Sequence, residues 1–166
     1  MTDLKGRCGV IAGVANKWSI AWGVARTIHD AGGRLVLPYL GDRELAGVKK
    51  LVEGEGWDDV VIPPTACNVG EDEQIAGLFD FVRDEVGSID FFAHCIAFAP
   101  RDSLQGDYSD TSREAFQIAL DVSAFSFISM TRAAAEVMEN GGAAIAMTYM
   151  ASERVFPSYN VMGTAK

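Results

Sequence analysis

The chain has 166 residues, 49% of them apolar, and a formal net charge of −9, enough for one domain (1–166) with its own core and no visible linker, repeat or low-complexity tract. The acidic balance argues against nucleic acid as a partner, and no run of about 18 apolar residues marks a membrane span. Cys8, Cys67 and Cys95 are odd in number and lack C-x-x-C spacing, which argues against a disulfide framework or a zinc site. All three lie in apolar stretches and read as small buried hydrophobes. The first apolar segment, 8–14, is too short and Gly-rich for a signal peptide, so the expected compartment is the cytoplasm.

In chain order, 7–13 reads as a buried strand and 19–31 as a helix with Ile20, Val24, Ala25 and Ile28 on one face. Ser19 is a candidate N-cap and Gly32-Gly33 a stop. A second strand is expected over 34–40, a helix over 44–55 and a third strand over 59–62, ended by Pro63-Pro64. Residues 71–86 read as a helix, 88–97 as a fourth strand, 112–138 as one long helix and 143–150 as a fifth strand. Near-continuous apolar strands alternating with helices predict an α/β fold, a doubly wound parallel sheet of Rossmann-like type. Ligands of such sheets sit at the carboxyl ends of the strands.

The first of those ends is Gly13-Val-Ala-Asn-Lys-Trp-Ser19-Ile20. Gly13 would let backbone approach a pyrophosphate, and the free N–H groups near Ser19 and Ile20 favour an anion. Ser19 can cap the helix or donate to phosphate, and Gly23 would let the helix pack closely on the sheet. The glycines are further apart than in G-x-G-x-x-G, so an ordinary strand-to-helix turn fits these residues as well. The second strand ends at Leu40, which cannot accept from a ribose hydroxyl where an acidic residue is usual. Asp42 would repel a 2′-phosphate and Arg43 attract one. Asn68-Val69 follows the third strand, where Asn68 could read an adenine edge or cap the next helix. His94 reads as structural and His29 as plain surface.

Near the end of the sequence, Tyr149 closes the fifth strand, and Tyr159 and Lys166 are separated by six residues. Seven steps are two helical turns, which puts both side chains on one face, where an ammonium would lower the phenol pKa. An amphipathic helix carrying Tyr and Lys by chance is the alternative.

Five strings share a known counterpart. The Gly13–Ile20 turn resembles the G-V-A-S-x-x-S-I turn of bacterial enoyl-acyl-carrier-protein reductases, a divergent branch of the short-chain dehydrogenases. Cys67-Asn68-Val69 resembles the family's C-D-V, and His94-Cys-Ile96-Ala97-Phe-Ala99-Pro resembles its H-S-I-G-F-A-P. Arg113 to Ser123 resembles R-E-x-F-x-I-A-x-D-x-S, and Ser158 to Lys166 matches S-Y-N-V-M-G-x-A-K. The Tyr-x6-Lys spacing is similar to enoyl rather than ketone reductases.

The resemblance implies NADH-dependent reduction of the trans-2 double bond of an enoyl thioester on acyl carrier protein, in fatty acid biosynthesis. It implies catalytic roles for Tyr149, Tyr159 and Lys166, and cofactor contacts from Gly13, Ser19, Ile20, Leu40, Asn68, Val69, Ile96, Ala97 and Lys166. Ala99, Tyr149 and Tyr159 are the implied substrate contacts, and no metal is expected. It places Ser123 facing the lysine, and a methyl at Ala97 where glycine is usual. NAD is the implied cofactor, as NADH rather than NADPH, and a homotetramer the implied assembly of the full-length protein. It also implies a longer chain, so that the 166 residues form a sheet incomplete on its C-terminal side, inactive by themselves and marginal or prone to aggregate. The alternatives are another short-chain dehydrogenase/reductase and a catalytically inactive nucleotide-binding fragment.

Overall fold

Along β1 (Cys8–Ala12) alternate side chains enter two separate cores. Cys8, Val10 and Ala12 face one layer of helices and Ile11 the other, as the period of two in a strand requires. A strand buried on both faces cannot alternate polar and apolar residues, hence its continuous apolar run. The computed structural model describes residues 3–166. In it β1 lies between β2 (Arg34–Val36) and β3 (Phe91–His94), and β4 (Ala143–Ala146) pairs with β3. The order is β2-β1-β3-β4 and every pairing is parallel.

Helices α1 (Ile20–Asp30) and α2 (Asp42–Glu55) cover one face, contributing Trp22, Ala25 and Val48 to a core with Leu35 and Leu37. Helices α3 (Asp72–Glu85) and α5 (Ser126–Glu136) cover the other, where Phe79, Val82 and Met130 pack on Phe92. Each fully buried large apolar side chain of this kind stabilises the fold by about 1.5–3 kcal/mol. α4 (Arg113–Leu120) precedes α5, and α6 (Asn160–Ala165) ends the chain.

The structure corrects several expected boundaries. The strand expected over 59–62 is a single bridge: Val61 N–H donates to the Leu35 carbonyl and Leu37 N–H to the Val61 carbonyl. Pro63 and Pro64 bring no N–H, so the ladder cannot continue. Pro38 likewise ends β2 short of Leu40. The strand expected over 88–97 is regular only from Phe91 to His94, with flanking bonds from Asp90 N–H to the Cys8 carbonyl and from Cys95 N–H to the Ala12 carbonyl. The long helix of 112–138 is broken by a π-helical turn, Asp121–Phe125, between α4 and α5. Its continuous span Arg113–Glu136 also passes the length and hydropathy requirement for a membrane crossing, which the reading by apolar runs missed. Its side chains Ala115, Ala119, Ser126, Met130 and Ala134 are buried against the rest of the fold.

Two further readings are overturned. A Cβ at Gly23 would meet nothing, so that glycine does not serve close packing of α1 on the sheet. His29 is not plain surface. Its ring stacks on Trp57 with centroids 4.0 Å apart, and Nε2 lies 3.0 Å from the Asp59 carboxylate.

β4 differs from the other strands. All four residues are exposed, with Ile145 60% so. Among the described residues nothing pairs with its outer edge.

Candidate functional site

The chain runs outward from β1 to β2 and then returns to β3 on the other side of β1. A crevice opens where the direction reverses, beyond the carboxyl ends of β1 and β3. It is a cleft of about 480 Å³. Gly13 forms its floor, Leu40 and Asn68-Val69 one wall, Ile96 and Ala97 the other. Six residues expected to touch a cofactor are therefore brought together.

The floor has a physical cause other than the one expected. Gly13 has φ +106°, and a Cβ there would drive into the Cys95 carbonyl. The glycine is needed first for the close crossing of the β1 and β3 ends. A second close approach went unnoticed in the sequence: a Cβ at Gly47 of α2 would come within 2.7 Å of the Ala15 carbonyl. α2 thereby braces the turn that precedes α1.

Ser19 and Ile20 stand at the start of α1 and do not line the cleft. The Ser19 hydroxyl donates to the Asn16 carbonyl at 2.6 Å, so it does not cap α1. The N–H groups of Trp22 and Gly23 donate to the Ser19 carbonyl. Those of Ile20 and Ala21 have no acceptor among the described residues, which leaves an anion-favouring helix start. Ile20 itself is 63% exposed.

Asn68 is not the cap of α3, which is Glu71. Its Oδ1 accepts from Gly70 N–H at 3.1 Å, and its own N–H donates to Gln74 Oε1 at 2.8 Å. Asn68 lines the cleft, and its amide N–H₂ makes no hydrogen bond among the described residues. The wall is tied to the segment that follows β2 through Cys67 N–H and the Tyr39 carbonyl, 2.7 Å apart.

The opposite wall is held from the π-helical turn. Ser123 Oγ accepts from Phe98 N–H at 3.0 Å and donates to the Phe98 carbonyl at 3.1 Å. One buried hydroxyl thus satisfies both backbone groups of a residue that has left the sheet ladder. Among the described residues no hydrogen bond joins Ser123 to Lys166. The remaining neighbour of Ser123 is Met162 Sδ at 3.8 Å. The signal in the sequence was Ser123, Ser126 and Ser129 recurring inside a helix, where serine commonly bonds back to the preceding turn. Ser126 Oγ does so to the Val122 carbonyl and also meets His94 Nε2 at 2.7 Å. Burial, with the Lys166 charge second, pushes the His94 pKa down to about 4.

Cys8 and Cys67 are buried as expected, and burial pushes the Cys67 thiol up to about 11. Cys95 departs from that reading, because it is only half-buried and lines the cleft. Burial raises its thiol pKa and the charge of Lys166 opposes the rise.

The Tyr159–Lys166 pair is not two residues on one face of a continuous helix. α6 has six residues, with Tyr159 at its N-cap and Lys166 at its C-cap. Ser158 and Asn160 flank Tyr159 with φ of 59° and 30°, a strained entry. Asn160 Nδ2 holds that entry by donating to the Gln105 and Gly106 carbonyls, both at 3.2 Å. Tyr149 and Tyr159 are brought together, with ring centroids 5.0 Å apart, but neither lines the cleft. Ala99 also lies off the cleft, in a small apolar cluster that Tyr159 joins. Lys166 Nζ donates to the Met147 carbonyl at 2.6 Å, and among the described residues no hydrogen bond joins it to Tyr159. The expected lowering of the phenol pKa is overturned: burial, and then Tyr149, raise it. Burial lowers the Lys166 pKa.

A parallel sheet with its cleft at the reversal of strand order makes this a doubly wound α/β protein with a cleft at the switch point. Within that class it belongs to the enoyl-(acyl carrier protein) reductase family, whose model matches residues 13–166. The chain is similar to the NADH-named enoyl-[acyl-carrier-protein] reductases FabI of Bacillus cereus (46% identical) and Nostoc sp. (44% identical). Each match covers 100% of this chain and 64% of the relative, so the chain spans just under two thirds of their length. Among solved structures it is similar to the Bacillus cereus reductase with NADP+ and an indole naphthyridinone, at 43% identity and TM-score 0.95, covering 100% of this chain and 64% of that one. The Aquifex aeolicus reductase gives 40% identity and TM-score 0.91, covering 98% and 64%.

Proposed function

We propose that residues 1–166 form a single dinucleotide-binding domain that binds NADH and supplies the Tyr159–Lys166 centre of an enoyl-thioester reductase acting on acyl-carrier-protein substrates. The observation that carries this reading is the cleft at the switch point, with Lys166 close enough to its Cys95 wall to shift that thiol. The fit to a dinucleotide rests on the unpartnered Ile20 and Ala21 N–H groups, the free Asn68 amide and the apolar wall of Ile96 and Ala97. When bound, the dinucleotide supplies the hydride.

The residues of the chain hold, orient and stabilise. Gly13, Ser19 and Ile20 take the phosphate end, Leu40, Asn68 and Val69 the adenosine end, and Ile96, Ala97 and Lys166 the nicotinamide ribose. Tyr159 keeps its proton at neutral pH, because its pKa is raised. A protonated phenol is the donor that a thioester oxygen needs as enolate charge develops. Tyr149 packs against the Tyr159 ring and, with Ala99 behind it, fixes its position. The same reading places the protein in the cytoplasm. It makes the exposed Phe116, Phe125 and Ile128 of α4 to α5 the contact between subunits of a homotetramer.

Turnover of NADH with crotonyl-CoA, in the protein carrying these residues, tests the reading. Tyr159→Phe is expected to reduce the rate by about 100-fold or more, and Lys166→Ala to weaken NADH binding. No NADH oxidation, or variants indistinguishable from wild type, would overturn it. A second reading, NADH binding without turnover, is favoured by one observation: the Lys166 ammonium is engaged by Met147 rather than aimed at Tyr159. Binding by fluorescence with no oxidation of NADH would select it.

A further inference from the structure

Among the described residues, none of the hydrogen bonds around α6 involves the Tyr159 hydroxyl. Where that hydroxyl points is therefore decided by ring packing and by the backbone that carries the ring. The ring packs on Tyr149, with centroids 5.0 Å apart. The backbone is unusual. Among the described residues only two that are not glycine have positive φ, Ser158 at 59° and Asn160 at 30°, and they stand on either side of Tyr159. L residues avoid that conformation, and it persists only where the surroundings impose it. Ser158 is exposed, and its side chain makes no hydrogen bond among the described residues. Asn160 is held. Its Nδ2 donates to the Gln105 carbonyl and to the Gly106 carbonyl, both at 3.2 Å. Gly106 has φ +72°, a turn that brings two successive carbonyls to one amide. Asparagine is also a residue type that tolerates the left-handed region.

The same segment grips α6 a second time, one turn further on. The Tyr108 hydroxyl meets Thr164 Oγ1 at 2.9 Å. Between the two grips, Val161 and Met162 are buried with Ala119 of α4, which seats the body of the helix but not its entry. Asn160 does not line the cleft, so it acts on neither the cofactor contacts nor the reacting atoms directly. Resting on the role of Tyr159 proposed above, we infer that Asn160 is a positioning residue for the reduction: its amide, on the Gln105 and Gly106 carbonyls, holds Tyr159 at the N-cap of α6 and so aims the phenol hydroxyl at the thioester oxygen. Tyr108, through Thr164, steadies the same arrangement from the far end of the helix.

Turnover of NADH with crotonyl-CoA by the whole protein carrying these residues tests this, in a double-mutant cycle with Tyr159→Phe. Asn160→Gly keeps the left-handed backbone accessible and drops both hydrogen bonds. Asn160→Asp keeps the size and removes the donors. Each is expected to lower kcat by about 10- to 100-fold. NADH affinity, read by cofactor fluorescence, should stay within about twofold of wild type, since Asn160 lies off the cleft. In the Tyr159→Phe background the same substitutions should change kcat by less than about twofold, because the hydroxyl they misplace is already gone. Equal losses in both backgrounds overturn the inference, as does wild-type kcat in both Asn160 variants. Variants that unfold or lose NADH affinity overturn it too, because the two bonds would then hold the fold rather than aim the phenol. A wild type that does not oxidise NADH, or Tyr159→Phe indistinguishable from wild type, overturns the proposed role of Tyr159 and this inference with it.

Discussion

β1 and β4 belong to one parallel sheet and share an apolar sequence, yet every residue of β1 is buried and every residue of β4 is exposed. The difference follows from what covers them. β1 has a strand on either side and helices on both faces, whereas β4 has β3 on one side and its carboxyl end leads to the loop carrying Tyr149. The switch-point cleft is built on the covered part, and Lys166 is tied to the segment that leaves β4. The proposed binding and the proposed chemistry therefore rest on supports of unequal strength within one chain.

The largest expected effect separates the two supports. Phe92 in β3 is fully buried, edge-on to Phe79 at 6.2 Å and stacked on Phe127 at 6.4 Å. Phe92→Ala should cost about 3–5 kcal/mol. Ile145→Ala in β4 should cost less than about 0.5 kcal/mol, because its side chain is already in water. Urea denaturation of the two variants checks the contrast. Equal losses would mean that β4 is covered in solution, by a second copy or by further chain.

Acid should loosen the same junction from within. His94 is 1% exposed and its pKa stands at about 4, against an ordinary value of 6.5. Between those values the unfolded chain binds a proton that the folded chain refuses, so stability rises with pH across that window. Acidification from pH 6.5 to about 4 should thus remove stability, on the order of 3 kcal/mol from this residue. Carboxylates titrate nearby, so the readout is a difference: the pH dependence of the melting temperature in wild type less that in His94→Gln. A difference of zero would mean that the imidazole is solvated in the folded chain.

The covered region was the more legible one in the sequence. Continuous apolar strands and 3.6-residue helical faces report burial, and the Gly13 turn and Ile96-Ala97 fall just beyond the ends of β1 and β3 by topology alone. What escaped depends on contacts between segments far apart in the chain. The bridge at Val61 is limited by Pro63 and Pro64 and by its partners Leu35 and Leu37. The π-helical turn holds Ser123 on both backbone groups of Phe98, and no helical period records one extra residue per turn. Tyr159 and Lys166 were found by spacing, but spacing cannot show that strain at Ser158 and Asn160 takes Tyr159 out of the helix.

The finest division lies between two glycines ten residues apart in sequence and opposite in role. Gly13 has φ +106° and a carbonyl in the place of its Cβ, while Gly23 sits inside α1 with open space around it. Gly13→Ala must adopt a left-handed conformation that L residues avoid and push Cys95 away, at a cost of about 1–3 kcal/mol. The displaced segment leads into the Ile96-Ala97 wall, so NADH affinity should fall with it. Gly23→Ala should do the reverse. Alanine in a helix interior is favoured over glycine by about 0.8–1 kcal/mol, and nothing at this site opposes it. Melting temperatures and NADH titrations of both variants check the pair. If Gly23→Ala destabilised the chain, α1 would have to lie closer to a neighbour than the open space around Gly23 allows, and the covered half of the molecule would extend further than β1 and its helices indicate.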